Sequence, residues 1–192
     1  MSKQHSQLFR ILIVMLIVTI VSSGLLGIIY CITKEPIQEA QNRLISEGLK
    51  EVIVTEFDND PFDEKITVRH NKEKFTIFPA RKDGYITSIV MKSFSNQGFG
   101  GKMEVIVSFL LDGTVGDFKV INHKETPGLG SKVNDLSFRK NVAGLSPNSD
   151  SFKVRKDGGE IDAITGATIS SRALIDAIQK AYRGYLKFNT GK

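Results

Sequence analysis

The sequence predicts an α+β fold: an antiparallel sheet with flanking helices, preceded by one transmembrane helix. Three observations carry this. Residues 11–32 form an uncharged apolar run near the N-terminus. Between residues 74 and 122, runs rich in β-branched and aromatic residues are separated by Asp-Gly turn signals. A segment of helical periodicity closes the chain. The expected division is 1–10 as an N-terminal tail, 11–32 as the membrane span, 33–60 as a helical connector and 61–192 as one folded domain.

Taken in order, the run ILIVMLIVTIVSSGLLGIIYCI contains no charged residue. At about 1.5 Å per residue it reaches just over the ~30 Å hydrocarbon core of a bilayer. Lys3 and Arg10 precede it and Lys34 with Glu35 follows. The positive bias puts the N-terminus in the cytoplasm and the body outside it. A retained anchor is favoured over a cleaved signal peptide because the apolar run is long and no clean small-x-small site ends it. Tyr30 before the single cysteine, Cys31, argues against a lipid-attachment site.

Pro36 fits the first turn of a second helix. Ile37, Ala40, Leu44, Ile45, Leu49, Val52 and Ile53 recur at helical spacing over about 36–54, with Gly48 as a weak point. Residues 56–64 are acidic, contain Pro61 and read as a loop. They lack the Gly and terminal Glu of a calcium loop. Expected strands are 74–79, 85–93, 103–111 and 115–122, with Lys82-Asp83-Gly84 and Asp112-Gly113 as hairpin turns. A short helix is expected within 131–144, a short strand over 152–154 and a final helix over about 170–187.

Charge and composition narrow the function. The net charge is +5, from 26 basic and 21 acidic residues. This mild and dispersed excess gives no reason to expect a nucleic-acid partner. One cysteine and three separated histidines offer no metal-ligand spacing. Gln97-Gly98-Phe99-Gly100-Gly101 is a glycine-rich break, not a dinucleotide fingerprint. No nucleophile elbow is visible.

Two segments carry unusual local chemistry. In His123-Lys124-Glu125-Thr126-Pro127-Gly128-Leu129-Gly130, Pro127-Gly128 fits a type II turn with Gly128 at positive φ. Its plain reading is a strand-to-helix connection. In Asp162-Ala163-Ile164-Thr165-Gly166-Ala167-Thr168-Ile169-Ser170-Ser171, hydroxyls lie beside small residues directly before a helix. The small residues let a large group approach the backbone, and the helix start offers free N–H groups and the positive dipole end. Residues alone leave this as either a phosphate seat or a helix cap with spare hydroxyls.

The second segment resembles the flavinylation motif of the FMN-binding domain family, Asp-x-x-(Ser/Thr)-Gly-Ala-Thr, with Thr at position 165. The GFGGKMEVIV strand, the Asp112-Gly113 turn and the ETPGLG run stand in the family's order, so the resemblance covers about 97–182. Together with the single anchor, the layout is similar to the G subunits of Rnf-type electron-transport complexes. The related C subunits of sodium-translocating NADH:quinone reductases share the motif but are usually longer.

The resemblance implies FMN bound covalently as a phosphoester of Thr168, attached by a flavin transferase that uses FAD. Asp162 and Thr165 belong to the motif the transferase reads. Thr165, Gly166, Ala167 and Ser171 surround the attachment point, and Glu125, Thr126, Gly128 and Leu129 lie near the ring. Arg172 is placed to add a charge-assisted bond to the phosphate. The implied role is a non-catalytic electron carrier in the inner membrane, passing electrons between other subunits of a complex that couples reduced ferredoxin and NAD to ion transport. The alternatives are a quinone-reductase C-type subunit and a flavin-free extracytoplasmic scaffold. A free-standing flavoenzyme would need a substrate domain for which the chain has no room.

Overall fold

The computed structural model describes residues 2–70 and 73–190. The expected domain limits at 1 and 192 lie outside them, and of Lys3 only the backbone is described. Two compact units emerge, residues 1–43 and 44–192.

The first unit is helical. It belongs to α1 (Ser2–Val52), which contains Pro36 in its interior. The sequence reading of two helices, with Pro36 opening the second, is therefore corrected to one helix. Proline removes one intrahelical bond, and good helix formers on both sides carry the ladder past it. The described residues hold one helix long and apolar enough to cross a membrane, with a mean hydropathy of 2.7 in its most apolar stretch. The hydroxyls of Thr19, Ser23 and Thr33 in this helix are satisfied by its own carbonyls. Thr19 Oγ1 donates to the Met15 carbonyl at 2.7 Å and Thr33 Oγ1 to Ile29 at 2.8 Å. That is the arrangement a hydrocarbon solvent demands.

The second unit is built on a five-stranded antiparallel meander in the order β1 to β5. The strands are β1 (Ile66–His70), β2 (Glu73–Lys82), β3 (Tyr85–Gly98), β4 (Gly101–Leu110) and β5 (Val115–Asn122). Four match the sequence reading, with β2 and β3 longer than expected. β1 is additional: its Ile-Thr-Val alternation is short, and it gains its ladder only by pairing with β2. At the β2–β3 hairpin both Asp83 (φ 52) and Gly84 (φ 81) are left-handed, as a two-residue I′ turn requires.

Strand alternation gives the sheet two apolar faces. One carries Ile77, Ile89, Met91, Val105, Val107 and Phe109 and is covered by α3 (Thr168–Thr190) through Leu174, Ile178, Ala181 and Tyr185. The other carries Phe78, Ala80, Val90 and Ile106 and packs against Ile45, Leu49, Val52 and Ile53. Gly48, read as a weak point, permits this packing, since a Cβ there would lie 2.6 Å from Ile106 Cδ1. Gly184 does the same for α3, where a Cβ would lie 2.6 Å from Met91 Cε.

Between β5 and α3 run a 3-10 turn (Gly130–Asn134), the short α2 (Leu136–Val142) and a second 3-10 turn (Arg155–Asp157). The single helix expected within 131–144 is thus broken at Asp135, whose ψ of 142 is extended. The expected strand at 152–154 reduces to one bridge, Val154 to Ile161. Arg139 of α2 is buried between Asp117 of β5 and Glu51 of α1. Hydrogen bonding to Asp117 leads the causes that hold its guanidinium above the ordinary arginine range.

Candidate functional site

The loop after β5 is organised by one buried carboxylate. Glu125 is 5% exposed. Its Oε2 accepts from Ser170 Oγ at 2.6 Å and its Oε1 from the Gly100 N–H at 3.2 Å. Three glycines make room for it. A Cβ at Gly98 would lie 2.5 Å from Glu125 Oε1, one at Gly130 would lie 2.7 Å from Oε2, and one at Gly100 would lie 1.8 Å from the Lys124 carbonyl oxygen. The glycine-rich break between β3 and β4 thus lets the 123–130 loop lie against it.

The loop closes as expected. Gly128 has φ +74, and the Leu129 N–H donates to the Thr126 carbonyl at 3.2 Å across Pro127-Gly128. Ser131 Oγ accepts from the Gly128 N–H at 2.9 Å.

The opposing segment turns at Gly166 (φ +78), where the Ala167 N–H donates to the Ile164 carbonyl. α3 begins at Thr168, two residues before the expected start. Its first intrahelical bond runs from the Ser171 N–H to the Ala167 carbonyl at 3.0 Å. The N–H groups of Thr168, Ile169 and Ser170 therefore form the open first turn.

The three hydroxyls of this turn have different duties. Ser171 is fully buried; its Oγ accepts from the Ile164 N–H at 3.0 Å and donates to the Ala167 carbonyl at 3.1 Å. Ser170 is committed to Glu125. Thr168 is half-buried, and its Oγ1 accepts from Lys156 Nζ at 3.3 Å.

A groove of about 400 Å³ lies between these walls. Glu125, Thr126, Leu129 and Gly130 form one side, and Gly166 to Ser170 the other; Phe99 and Lys156 complete it. Six residues expected near the cofactor meet here: Glu125, Thr126, Leu129, Gly166, Ala167 and Thr168. Gly128 and Ser171 are not among its lining residues. Asp162 and Thr165 line a second, more open groove of about 560 Å³ with Lys132 and Lys140. Asp162 also pairs with Arg155 at 2.6 Å. Arg172 forms a two-pronged pair with Asp157, at 2.8 and 2.7 Å.

Phe99, Lys156 and Ile169 do not stand out in the sequence as cofactor contacts. Phe99 carries a weak signal, a lone aromatic among glycines. Lys156 carries none, since the Val154–Ile161 bridge and the Arg155–Asp162 and Asp157–Arg172 pairs that bring its turn to the helix start form only in the folded chain.

The groove suits a ligand with a flat apolar body and an anionic end. Its volume lies in the ~300–1,000 Å³ range of small-molecule sites. Phe99, Leu129 and Ile169 offer exposed apolar surface at 71%, 46% and 47%. The helix start and Lys156 supply positive potential beside the Thr168 hydroxyl. Among the described residues, no group of His, Cys, Asp and Glu could hold a metal ion.

Comparison with known proteins agrees with this geometry. The profile of the FMN-binding domain family matches residues 98–183, which include every residue that lines the groove. The G subunit of an ion-translocating oxidoreductase complex from Vibrio cholerae is 36% identical over 172 residues, spanning 84% of this chain and 82% of that protein. The G subunit of the same type of complex from Vibrio atlanticus is 32% identical over 181 residues, spanning 88% and 86%. The crystal structure of the C subunit of the Na(+)-translocating NADH-quinone reductase from Parabacteroides distasonis superposes with a TM-score of 0.56 at 20% identity. It covers 80% of this chain and 94% of that one, a likeness of fold. The chain belongs to the family of G subunits of ion-translocating oxidoreductase complexes, with an FMN-binding domain over residues 98–183.

Proposed function

We propose that the protein is the one-flavin electron-carrier subunit of a membrane-bound, Rnf-type ion-translocating ferredoxin:NAD oxidoreductase, with FMN held as a phosphoester of Thr168. FMN supplies the redox chemistry, accepting and releasing electrons. The protein's own residues hold and orient it. Thr168 Oγ1 is the acceptor. Leu129, Ile169 and Phe99 cover apolar ring surface, and Thr126 offers a polar edge. Glu125 fixes the two walls without reaching outward. The other subunits of the complex are its partners, and a flavin transferase is needed for maturation.

The observation that carries the reading is the division of hydroxyls at the start of α3. Ser170 and Ser171 are committed to the fold, while Thr168 opens on the groove. Asp162 and Thr165 are exposed in the neighbouring groove, where the transferase can reach them. We also propose that residues 1–10 are cytoplasmic, 11–32 span the membrane and the FMN domain is extracytoplasmic. The uncharged span and the excess of Lys3 and Arg10 before it over Lys34 after it support this. The test is the intact mass of the chain expressed with and without a flavin transferase. A gain of one FMN only with the transferase is expected; the same mass in both would refute covalent attachment. A reporter fused to the C-terminus tests the orientation: activity on the cytoplasmic side would refute it.

A further inference from the structure

Three cations surround the start of α3: Arg155, Lys156 and Arg172. Two are neutralised. Arg155 pairs with Asp162 at 2.6 Å and Arg172 with both oxygens of Asp157. Lys156 pairs with no carboxylate among the described residues. Its Nζ lies 3.3 Å from Thr168 Oγ1 and lines the groove.

Its position is set by the backbone. The Arg155–Asp157 turn is closed by the Arg155 N–H to the Ile161 carbonyl at 2.9 Å and the Asp157 N–H to Val154 at 2.8 Å. The two flanking ion pairs fasten this turn on either side to the acceptor segment: Arg155 to Asp162 before it, Asp157 to Arg172 after it. The arrangement removes the neighbouring positive charges and leaves one, held next to the acceptor hydroxyl.

From this we infer that Lys156 is a phosphate-binding residue, the charge partner of the phosphoester formed on Thr168. The inference rests on the proposed attachment of FMN to Thr168. In that reaction Thr168 Oγ1 forms a bond to the FMN phosphorus of FAD. The pyrophosphate P–O bond breaks, AMP leaves, and the hydroxyl proton passes to a base on the transferase. The Lys156 ammonium is a donor and not that base. Its part is to hold the phosphate oxygens against the hydroxyl during transfer and to pair with the anionic diester afterwards. A lysine ammonium is a point charge suited to this. The open N–H groups of Thr168, Ile169 and Ser170 supply the rest of the seat.

The test uses the full chain in detergent with the transferase and FAD, and follows intact mass against time. Lys156→Gln is expected to slow FMN attachment about tenfold or more, a factor that corresponds to ~1.4 kcal/mol. Lys156→Glu is expected to slow it further, and Lys156→Arg to stay within about threefold of wild type. Melting curves of the flavin-free variants are expected to match wild type because Lys156 is exposed. In loaded protein the 31P resonance of the diester is expected to move in Lys156→Gln and to return towards its position in Lys156→Arg. Wild-type rates in Lys156→Gln would overturn the inference. So would a Lys156→Arg variant as slow as Lys156→Gln, since shape and not charge would then matter. Failure of wild type itself to gain FMN would instead refute the attachment on which the inference rests.

Discussion

On one side of the groove Glu125 is 5% exposed and both of its oxygens are occupied; on the other, Thr168 is half-buried and its hydroxyl meets only a flexible lysine. Both walls are glycine-containing turns with polar side chains. They differ in where the polarity goes. The 123–130 wall turns its carboxylate inward, tying the β3–β4 turn to α3. The 162–171 wall turns Ser170 and Ser171 inward and leaves Thr168 outward. A buried polar group is tolerated only when its partners are met, so the hydroxyl left open beside a groove is the one available for chemistry.

Substitutions on the inward-facing side should therefore unfold, and those on the outward-facing side should disarm. The largest effect is expected for Gly100→Ala. Its Cβ would sit 1.8 Å from the Lys124 carbonyl oxygen, a backbone atom that cannot swing aside. We expect a loss of about 3 kcal/mol in denaturant unfolding. A loss under about 1 kcal/mol, the low end for overpacking, would mean that the loop does not lie against this turn.

Ser171→Ala comes next, at about 1–3 kcal/mol, because it removes a fully buried hydroxyl and strands the part-buried Ile164 N–H. Thr168→Ala in the same turn is expected to change stability by no more than about 0.5 kcal/mol. Equal losses for the two would erase the distinction between the hydroxyls.

Gly128→Val sharpens the first wall. The positive φ at Gly128 strains a β-branched residue by roughly 1–2 kcal/mol, yet Gly128 does not line the groove, whereas Leu129 does. The valine variant is expected to lose stability and keep the wild-type visible spectrum at matched flavin content. Leu129→Ala is expected to keep stability and shift the spectrum. The reverse pattern would move the ring off Leu129.

The smallest effect is acid sensitivity beside α3. The hydrogen bond from Arg172 holds the exposed Asp157 carboxyl below its usual range. A depressed folded value contributes stability above the unfolded value of about 3.9, and that contribution fades as pH falls through the lower folded value. Asp157→Asn is expected to lower stability slightly at neutral pH, where the pair's contribution is fully present, and to converge with wild type as pH falls through that acid range, so that the pH dependence flattens there. An unaltered acid profile would show that the pair contributes nothing.

Four of the five strands, the apolar span and the last helix were legible because period and turn chemistry are local, whereas β1 is defined only by its pairing with β2. Asp83-Gly84 names its own hairpin, and Leu174, Ile178, Ala181 and Tyr185 name a helix face. The site was half legible. Thr168 and Glu125 stood out in motifs, but motif membership does not say which way a side chain faces. Ser171 lies in the same string as Thr168 and turns out to be an internal strut. Arg172 looked available for a phosphate because its partner, Asp157, lies 15 residues away in the chain. Lys156 was invisible for the same reason. Pro36 misled in the opposite sense: a residue that usually starts a helix was tolerated inside one.

Under the proposed attachment, Thr168 alone among these hydroxyls carries the flavin. The direct measurement is peptide mapping by mass spectrometry of the full chain after reaction with the transferase and FAD. One FMN is expected on the peptide containing residues 162–171, with fragment ions placing it on Thr168, and no attachment in Thr168→Ala. Flavin found on Thr165, Ser170 or Ser171, or retained in Thr168→Ala, would contradict it.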